Sequence, residues 1–444
     1  MKITYLQNAS IIIHNNGEKI LCDPWLIDGC YYGSWHHYPK FDFNQKELDD
    51  IDYIYISHIH PDHFDIKTLE KLNKDIPVLI HEFPQKYFKA KIEEIGFNVE
   101  EIPNNKRTKL GKTWINIIAA DNCDPSICSK VFGCNFEFNK FGTSQMDTFS
   151  VIDNDEQVIV NSNDCVYEIG ESTAKMISAQ YSKVDLLLVG YNGASDYPSR
   201  YDFDEDVKKN ESTKKKLKRL QNAIDYINLI NPKFYLPFAG RYVLGGKLTP
   251  FMKYKGESTL DEAFNYLSEN VDQKKNKGII LNSKSYFDLD TQHISEKYIS
   301  ENEIDRENYI QNTLSKLKLD YEDDSFPTLN SLLELIPEAY LKFEKTRKRI
   351  NYSTDIVILI KLSENKSLSI PLDGSNYKII SSKETTNFKK KIALSLDLRL
   401  FFNILQNSKQ YNWNSAAIGC HISWKRVPNI YDKSLMYCLN SFHV

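Results

Sequence analysis

Asp52-Tyr53-Ile54-Tyr55-Ile56-Ser57-His58-Ile59-His60-Pro61-Asp62-His63 decides how this chain folds. The first half is a near-continuous apolar run, the pattern of a strand buried on both faces. The second half sets three imidazoles and a carboxylate within six residues, His58-x-His60-x-Asp62-His63. Residues so spaced cannot all face one way from one regular element, but on a tight loop they converge on a metal from two sides. Histidine nitrogen and aspartate oxygen suit zinc or iron. A helical pattern at 66–74 and an apolar strand at 77–81 follow. The motif therefore sits in a strand–loop–helix context, which such a match needs before it carries weight.

The same alternation extends outward. Short strand patterns occur at 3–6, 10–13 and 19–22, with Asn15-Asn16-Gly17 as a hairpin signal between the last two. More strands follow at 114–119, 149–152, 157–161, 184–189 and 233–237, and a long amphipathic helix at 212–229. Hairpins mixed with helix-separated strands predict two sheets covered by helices, an α/β fold of αββα sandwich type. Beyond residue 295 the texture changes. Residues 296–350 are charged and helical, with Pro327 and Pro337 as breaks. Strand candidates at 355–362, 368–371 and 377–381 precede a helix at 397–406 and an aromatic tail. The expected domains are a metal-binding sandwich over 1–295 and an α+β extension of open role over 296–444.

Composition bounds the function. At 444 residues the chain exceeds one ordinary domain, and 41% hydrophobic with 26% charged residues supports a real core. Lys and Arg number 56 against 60 Asp and Glu, a net charge of −4, which lacks the basic excess of a nucleic-acid coat. The N-terminus carries no signal-peptide pattern, and no apolar run approaches the ~18–20 residues of a membrane span. The expected location is the cytoplasm. The eight cysteines read as reduced thiols there.

The His-rich loop after a buried strand resembles the metallo-β-lactamase superfamily, as do Ile3-Thr4-Tyr5-Leu6-Gln7-Asn8-Ala9-Ser10 and the acidic Asp23 after the third strand. The resemblance implies His58 and His60 on one metal, Asp62 and His63 on the other, and a later aspartate bridging them. Asp164, in Asn161-Ser162-Asn163-Asp164-Cys165 at a strand end, is the bridging candidate. Asp62, His63 and Asp164 are then the catalytic candidates.

A longer resemblance is to the catalytic portion of CMP-N-acetylneuraminate hydroxylases, and more loosely to UDP-N-acetylmuramic acid hydroxylases. It rests on Asp23-Pro24-Trp25-Leu26, Tyr53 to His58, Met146-Asp147-Thr148, Asn192 to Pro198, Pro232 to Gly240 and Trp413-Asn414, all in the same order. It implies hydroxylation of an N-acylated, nucleotide-linked sugar.

Two departures from these families stand out. Where hydrolytic relatives supply a third histidine, this chain has Ala119-Ala120-Asp121-Asn122-Cys123-Asp124, and Asp124, then Asp121, is the expected replacement ligand. Their last histidine is also missing, at Pro237-Phe238-Ala239-Gly240. A set richer in carboxylates leans toward iron, mono- or dinuclear, with zinc or manganese as alternatives. The second departure is the Rieske unit of the sialic acid hydroxylases: no Cys-x-His pairs with a Cys-x-x-His here, so an oxygenase would draw electrons from a separate Rieske- or ferredoxin-type protein.

Weaker candidates complete the set. Cys123, Cys128 and Cys134 read either as ordinary thiols or as a metal or electron-relay group. His37, Asn192, Ser195 and Arg241 are candidate substrate contacts, and Lys214 to Arg219 with Lys247 reads as a phosphate-binding or simply solvated face. Three functions fit: a hydroxylase, a hydrolase (deacylase, lactonase or phosphodiesterase) on the same scaffold, and a metal- or redox-responsive binding protein without turnover.

Overall fold

The computed structural model describes residues 1–124, 147–408 and 411–444. Among these, two large sheets form the inner layers. The first has eight strands in the order His293–Ile294, Tyr286–Asp288, Lys2–Gln7, Ser10–Asn15, Glu18–Cys22, Tyr53–Tyr55, Val78–His81, Val99–Ile102. Its first half is antiparallel and its second half parallel. The hairpin expected at Asn15-Asn16-Gly17 is present: Asn15 pairs Glu18, and Asn16 and Gly17 take φ of 48° and 91°. Positive φ at both central residues is what a two-residue type I′ turn requires.

The second sheet runs Lys277–Gly278, Phe234–Phe238, Leu186–Gly190, Val158–Asn161, Thr148–Asp153, Thr113–Ala119, Thr108–Leu110. Ile3, Ile11, Ile13 and Leu79 from one sheet meet Ile115, Ile117, Leu186, Leu188 and Leu236 from the other in one buried cluster. The outer face of the first sheet packs on Leu69, Leu72, Phe88 and Ile92. That of the second packs on the helices Tyr167–Gln180 and Glu205–Ile230 through Ile169, Ile177, Ala223 and Ile227. Helix, sheet, sheet, helix is the layering expected, because each sheet buries both faces.

The C-terminal part adds a five-stranded sheet, ordered Lys378–Ser381, Lys366–Pro371, Val357–Lys361, Lys391–Ser395, Ser423–Val427. Helices Leu329–Arg349 and Leu398–Leu405 cover it. Pro337 does not break the chain as expected; it lies inside Leu329–Arg349. Ile336, Ala339, Tyr340 and Phe343 bury one face across the proline, and that packing outweighs the lost hydrogen bond. The same apolar cluster takes in Trp25, Tyr31, Trp35, Tyr242 and Leu244 from the first half of the chain. Among the described residues no helix is long and apolar enough to cross a membrane.

Candidate metal centre

The site forms where strand ends of the two sheets meet. Tyr53–Tyr55 delivers the loop Ser57–His63, Asp147 immediately precedes Thr148–Asp153, and Asp164 follows Val158–Asn161. Threonine and asparagine side chains tie these ends together. Thr148 Oγ1 donates to the Ser57 carbonyl at 3.0 Å, and Asn163 Nδ2 donates to the Thr148 carbonyl at 2.7 Å. Asn163 sits at φ 44°, its amide held by Asn161 Oδ1 at 2.9 Å, which turns the chain so that Asp164 faces the loop. At the other end Asp65 caps the helix Ile66–Leu69, accepting from the Thr68 amide at 2.9 Å.

Two groups of side chains converge, each with ligand atoms within 4.8 Å of one another: His58, His60 and Asp147, and His58, His63 and Asp164. His58 Nε2 lies 3.3 Å from Asp147 Oδ1 and 2.8 Å from His60 Nδ1. His63 Nε2 lies 3.4 Å from Asp164 Oδ2 and 3.6 Å from Asp62 Oδ2, with no hydrogen-bond partner although fully buried.

A second ring of groups fixes the first. Asp23, fully buried, accepts from the Ser57 amide at 2.7 Å, from Ser57 Oγ at 2.7 Å, and from His63 Nδ1 at 2.9 Å. That leaves His63 Nε2 as the free ligand atom. Tyr31 Oη donates to Asp62 Oδ1 at 2.6 Å. From the C-terminal part, Asn414 Nδ2 lies 3.2 Å from His60 Nε2. With the amide turned so that its oxygen accepts Nε2–H, the Nδ1 of His60 is free to face Asp147.

The electrostatics ask for a cation. Burial pushes His58 and His60 down to about 4, so both are neutral ligands at neutral pH. Burial also lowers His63, but Asp164, Asp23 and Asp62 outweigh it and hold its imidazole well above the ordinary range. Burial pushes the Asp147 carboxyl up to about 6. Carboxylates gathered around buried imidazole nitrogens, with His63 Nε2 facing Asp164 and Asp62 beyond hydrogen-bond geometry, are an arrangement that a bound metal would satisfy. The residues fit a metal.

Of the expected ligands, His58, His60, Asp62, His63 and Asp164 come together. Asp124 does not: it is exposed and outside both groups. Asp121, though buried, spends Oδ1 on the Cys123 amide at 3.0 Å. Asp147 lies in the place expected of Asp124, because it immediately precedes the strand Thr148–Asp153 that runs beside Thr113–Ala119, and its carboxylate faces His58. Only its place in Met146-Asp147-Thr148 hinted at this.

The candidate substrate contacts are engaged elsewhere. His37 is buried, Nδ1 2.7 Å from Asp28 and Nε2 3.1 Å from the Trp25 carbonyl, and so braces a loop. Arg241 pairs with Glu301. Asn192 spends its whole amide on Gly240 and Ser258, and Ser195 Oγ accepts from the Tyr197 amide at 3.1 Å. The lysine run is largely paired too: Lys214 with Glu211, Lys216 with Glu262, Lys218 with Glu168, and Lys247 with Glu322 and Asp397. Cys128 and Cys134 lie outside the described residues.

Beside His60 and Tyr31 opens a cavity of about 580 Å³, lined by Tyr32, Lys67, Lys91, Asp320, Asn412 and Asn414 among others. It was not legible in the sequence, since its walls come from segments hundreds of positions apart.

The family model described as a beta-lactamase superfamily domain matches residues 2–239, more than half of the chain. This chain belongs to the beta-lactamase superfamily. Within it, a protein of Mycobacterium tuberculosis named "Putative Rieske 2Fe-2S iron-sulfur protein" is 26% identical over 247 residues, 54% of this chain and 44% of the relative. The cytidine monophosphate-N-acetylneuraminic acid hydroxylase of Asterias rubens is 29% identical over 252 residues, 55% of this chain and 35% of the relative. The chain thus spans less than half the length of either. Among solved structures, an isothiocyanate hydrolase from Delia radicum gut bacteria is 13% identical with a TM-score of 0.46, covering 65% of this chain and 99% of its own. The superfamily membership and the His/Asp cluster make this a metalloenzyme of that fold.

Proposed function

We propose that this chain is an iron-dependent hydroxylase acting on an N-acylated, nucleotide-linked sugar, with electrons from a separate Rieske- or ferredoxin-type partner. The observation that carries the reading is Asp147 beside His58 and His60. It makes that group two imidazoles and one carboxylate, the donor set of non-haem iron oxygenases. With Asp62 and Asp164 the whole site balances three imidazoles against three carboxylates, harder than the histidine-rich sets that suit zinc. The names of the relatives, a sialic acid hydroxylase and Rieske proteins, support the substrate class and the electron source.

The ligands would be His58, His60 and Asp147 on one side and His63, Asp62 and Asp164 on the other. When bound, iron supplies the activation of O₂, which no side chain can provide. The protein does the rest. Asp23 keeps His63 in one tautomer, Tyr31 holds Asp62, and Asn414 orients His60. The cavity beside His60 is of the size that holds a small ligand, and Lys67, Lys91, Asn412 and Asn414 are among the polar residues that line it.

The test is elemental analysis of protein purified without oxygen, followed by O₂ uptake with a ferredoxin-type donor, its reductase and CMP-N-acetylneuraminate. Iron with little zinc, and uptake that depends on the sugar, is expected. Zinc or manganese, with anaerobic turnover of N-acyl or phosphodiester substrates, would replace the reading with a hydrolase.

A further inference from the structure

Three aromatic rings lead away from the cluster. Tyr31, whose hydroxyl holds Asp62, has its ring centroid 4.5 Å from that of Trp35. Trp35 stacks on Tyr242 with centroids 3.3 Å apart and planes 6° from parallel. Tyr242 Oη donates to a Glu257 carboxylate oxygen at 2.7 Å. All three rings are at most 3% exposed. The arrangement is built in by backbone, since Trp35–His36 pairs antiparallel with Val243–Leu244, placing Trp35 opposite Leu244 and next to Tyr242. Tyr242 and Glu257 in turn line a separate cleft of about 200 Å³ with Arg241, Lys253, Lys255 and Arg306. The Asp62 carboxylate and that cleft are therefore joined by rings in contact.

Tyrosine and tryptophan are the side chains that most readily give up one electron, and ring contact makes each step short. One feature constrains where a vacancy can rest. Lys255 Nζ lies 4.5 Å from the Tyr242 centroid and 5.8 Å from that of Trp35, and a buried ammonium at that range opposes a cationic ring. The vacancy is stable at Tyr242 only if the phenol also loses its proton, and Glu257 already accepts that hydrogen bond.

We propose that Tyr31, Trp35 and Tyr242 form a one-electron relay between the metal centre and the cleft, giving oxidising equivalents an exit when no substrate is bound. The proposal rests on the iron reading above. In the step, Tyr242 gives one electron through Trp35 and Tyr31 to the oxidised metal centre. Its O–H bond breaks, the proton passes to Glu257, and a neutral tyrosyl radical is left. A small-molecule reductant of the ascorbate class entering the cleft returns the electron, and Glu257 returns the proton.

Two arms test it. In metal-free protein a ruthenium polypyridyl photo-oxidant is tethered at Lys253→Cys, with Cys123, Cys128 and Cys134 changed to Ser. A flash should produce a tyrosyl radical that Tyr242→Phe removes; an unchanged radical yield in that variant overturns the relay whatever metal the protein uses. In the second arm, protein loaded with ferrous iron receives hydrogen peroxide without substrate, and freeze-quenched samples are read by electron paramagnetic resonance. A tyrosyl signal that Tyr242→Phe and Trp35→Phe both abolish, at equal iron content, supports the relay. A signal that survives both overturns it. If the first arm succeeds and the protein takes up no iron, the iron reading alone fails.

Discussion

Replacing Asp23 tests how far the cluster depends on a residue that touches no metal. Its carboxylate satisfies three buried donors, the Ser57 amide, the Ser57 hydroxyl and His63 Nδ1–H. In Asp23→Ala all three lose their acceptor. The hydroxyl can turn to His58 Nδ1, 3.0 Å away, but the amide and the imidazole cannot move. Two orphaned buried donors, both formerly bonded to the same carboxylate, cost about 3–5 kcal/mol. That is a large part of the ~5–15 kcal/mol that holds an ordinary domain folded. Asp23→Asn keeps an acceptor for the amide but turns an NH₂ toward His63 or Ser57. Its stability cost is smaller, about 1.5–3 kcal/mol, and His63 loses the partner that fixes its tautomer. Loss of such an outer partner typically lowers metal affinity about 10–100-fold. The assay is competition against a chromophoric chelator for affinity, with urea unfolding of the metal-free protein for stability. Asp23→Asn with wild-type metal affinity would refute the idea that His63 binds metal through Nε2 with Asp23 behind it.

Three further outcomes follow from the same geometry. Asp147→Asn should lose metal on elemental analysis whereas Asp124→Asn should not; the reverse pattern would restore the sequence-based assignment. Asn414→Ala should weaken metal binding about tenfold, the lower end for an outer partner, as measured by chelator competition, and no change would detach the C-terminal part from the site. His421 is buried, with Nε2 2.8 Å from the Tyr31 carbonyl and Nδ1 3.1 Å from Tyr321 Oη. Burial pushes it down to about 4 despite the bond to Tyr31, with Arg200 and Lys247 adding to the fall and Asp397 opposing them. A folded value below the unfolded one means its contribution is complete above pH 6.5 and is lost as pH falls through about 4. That slope amounts to about 3 kcal/mol. His421→Gln should flatten the dependence of urea midpoint on pH in that window, and an unchanged slope would count against it.

What the sequence disclosed depended on whether the partner lay close along the chain. The apolar run at Tyr53–Tyr55 and the imidazoles after it declared both a strand and its cargo, because local pattern and local chemistry coincide there. Asp164 was legible because it ends a strand in a turn of asparagines. Asp147 was not, since a single carboxylate before a strand looks like any other until that strand is placed beside Thr113–Ala119. Arg241 illustrates the converse. Its charge suggested an anion site, but Glu301, far along the chain, already occupies it, and nothing in the residues around Arg241 announces that. His37 likewise carried the right chemistry in the right loop, and Asp28 nine positions earlier claimed it.

The C-terminal part shows where composition misleads about organisation. The change in texture near residue 295 follows the last strand of the first sheet, His293–Ile294, and suggests an appended module. The packing ties the two parts together. Trp25, Tyr31, Trp35, Tyr242 and Leu244 from the sandwich share one buried cluster with Leu332, Phe343, Phe401, Trp413 and Trp424. Ser34 Oγ donates to the Gly419 carbonyl at 2.6 Å, and His421 meets the backbone of Tyr31, the residue that holds Asp62. A surface of aromatic rings that large would be costly to expose to water, at ~25 cal/mol for each Å² of apolar area. The segment Tyr31–Trp35 thus has its conformation set from both sides: Asp62 fixes the Tyr31 hydroxyl while the C-terminal residues fix its backbone. Tyr31 holds φ of 52°, a left-handed conformation that a bulky residue keeps only when its surroundings impose it. Residues 296–444 therefore touch the candidate site through the backbone of Tyr31 and through Asn414, beside Asp62 and His60.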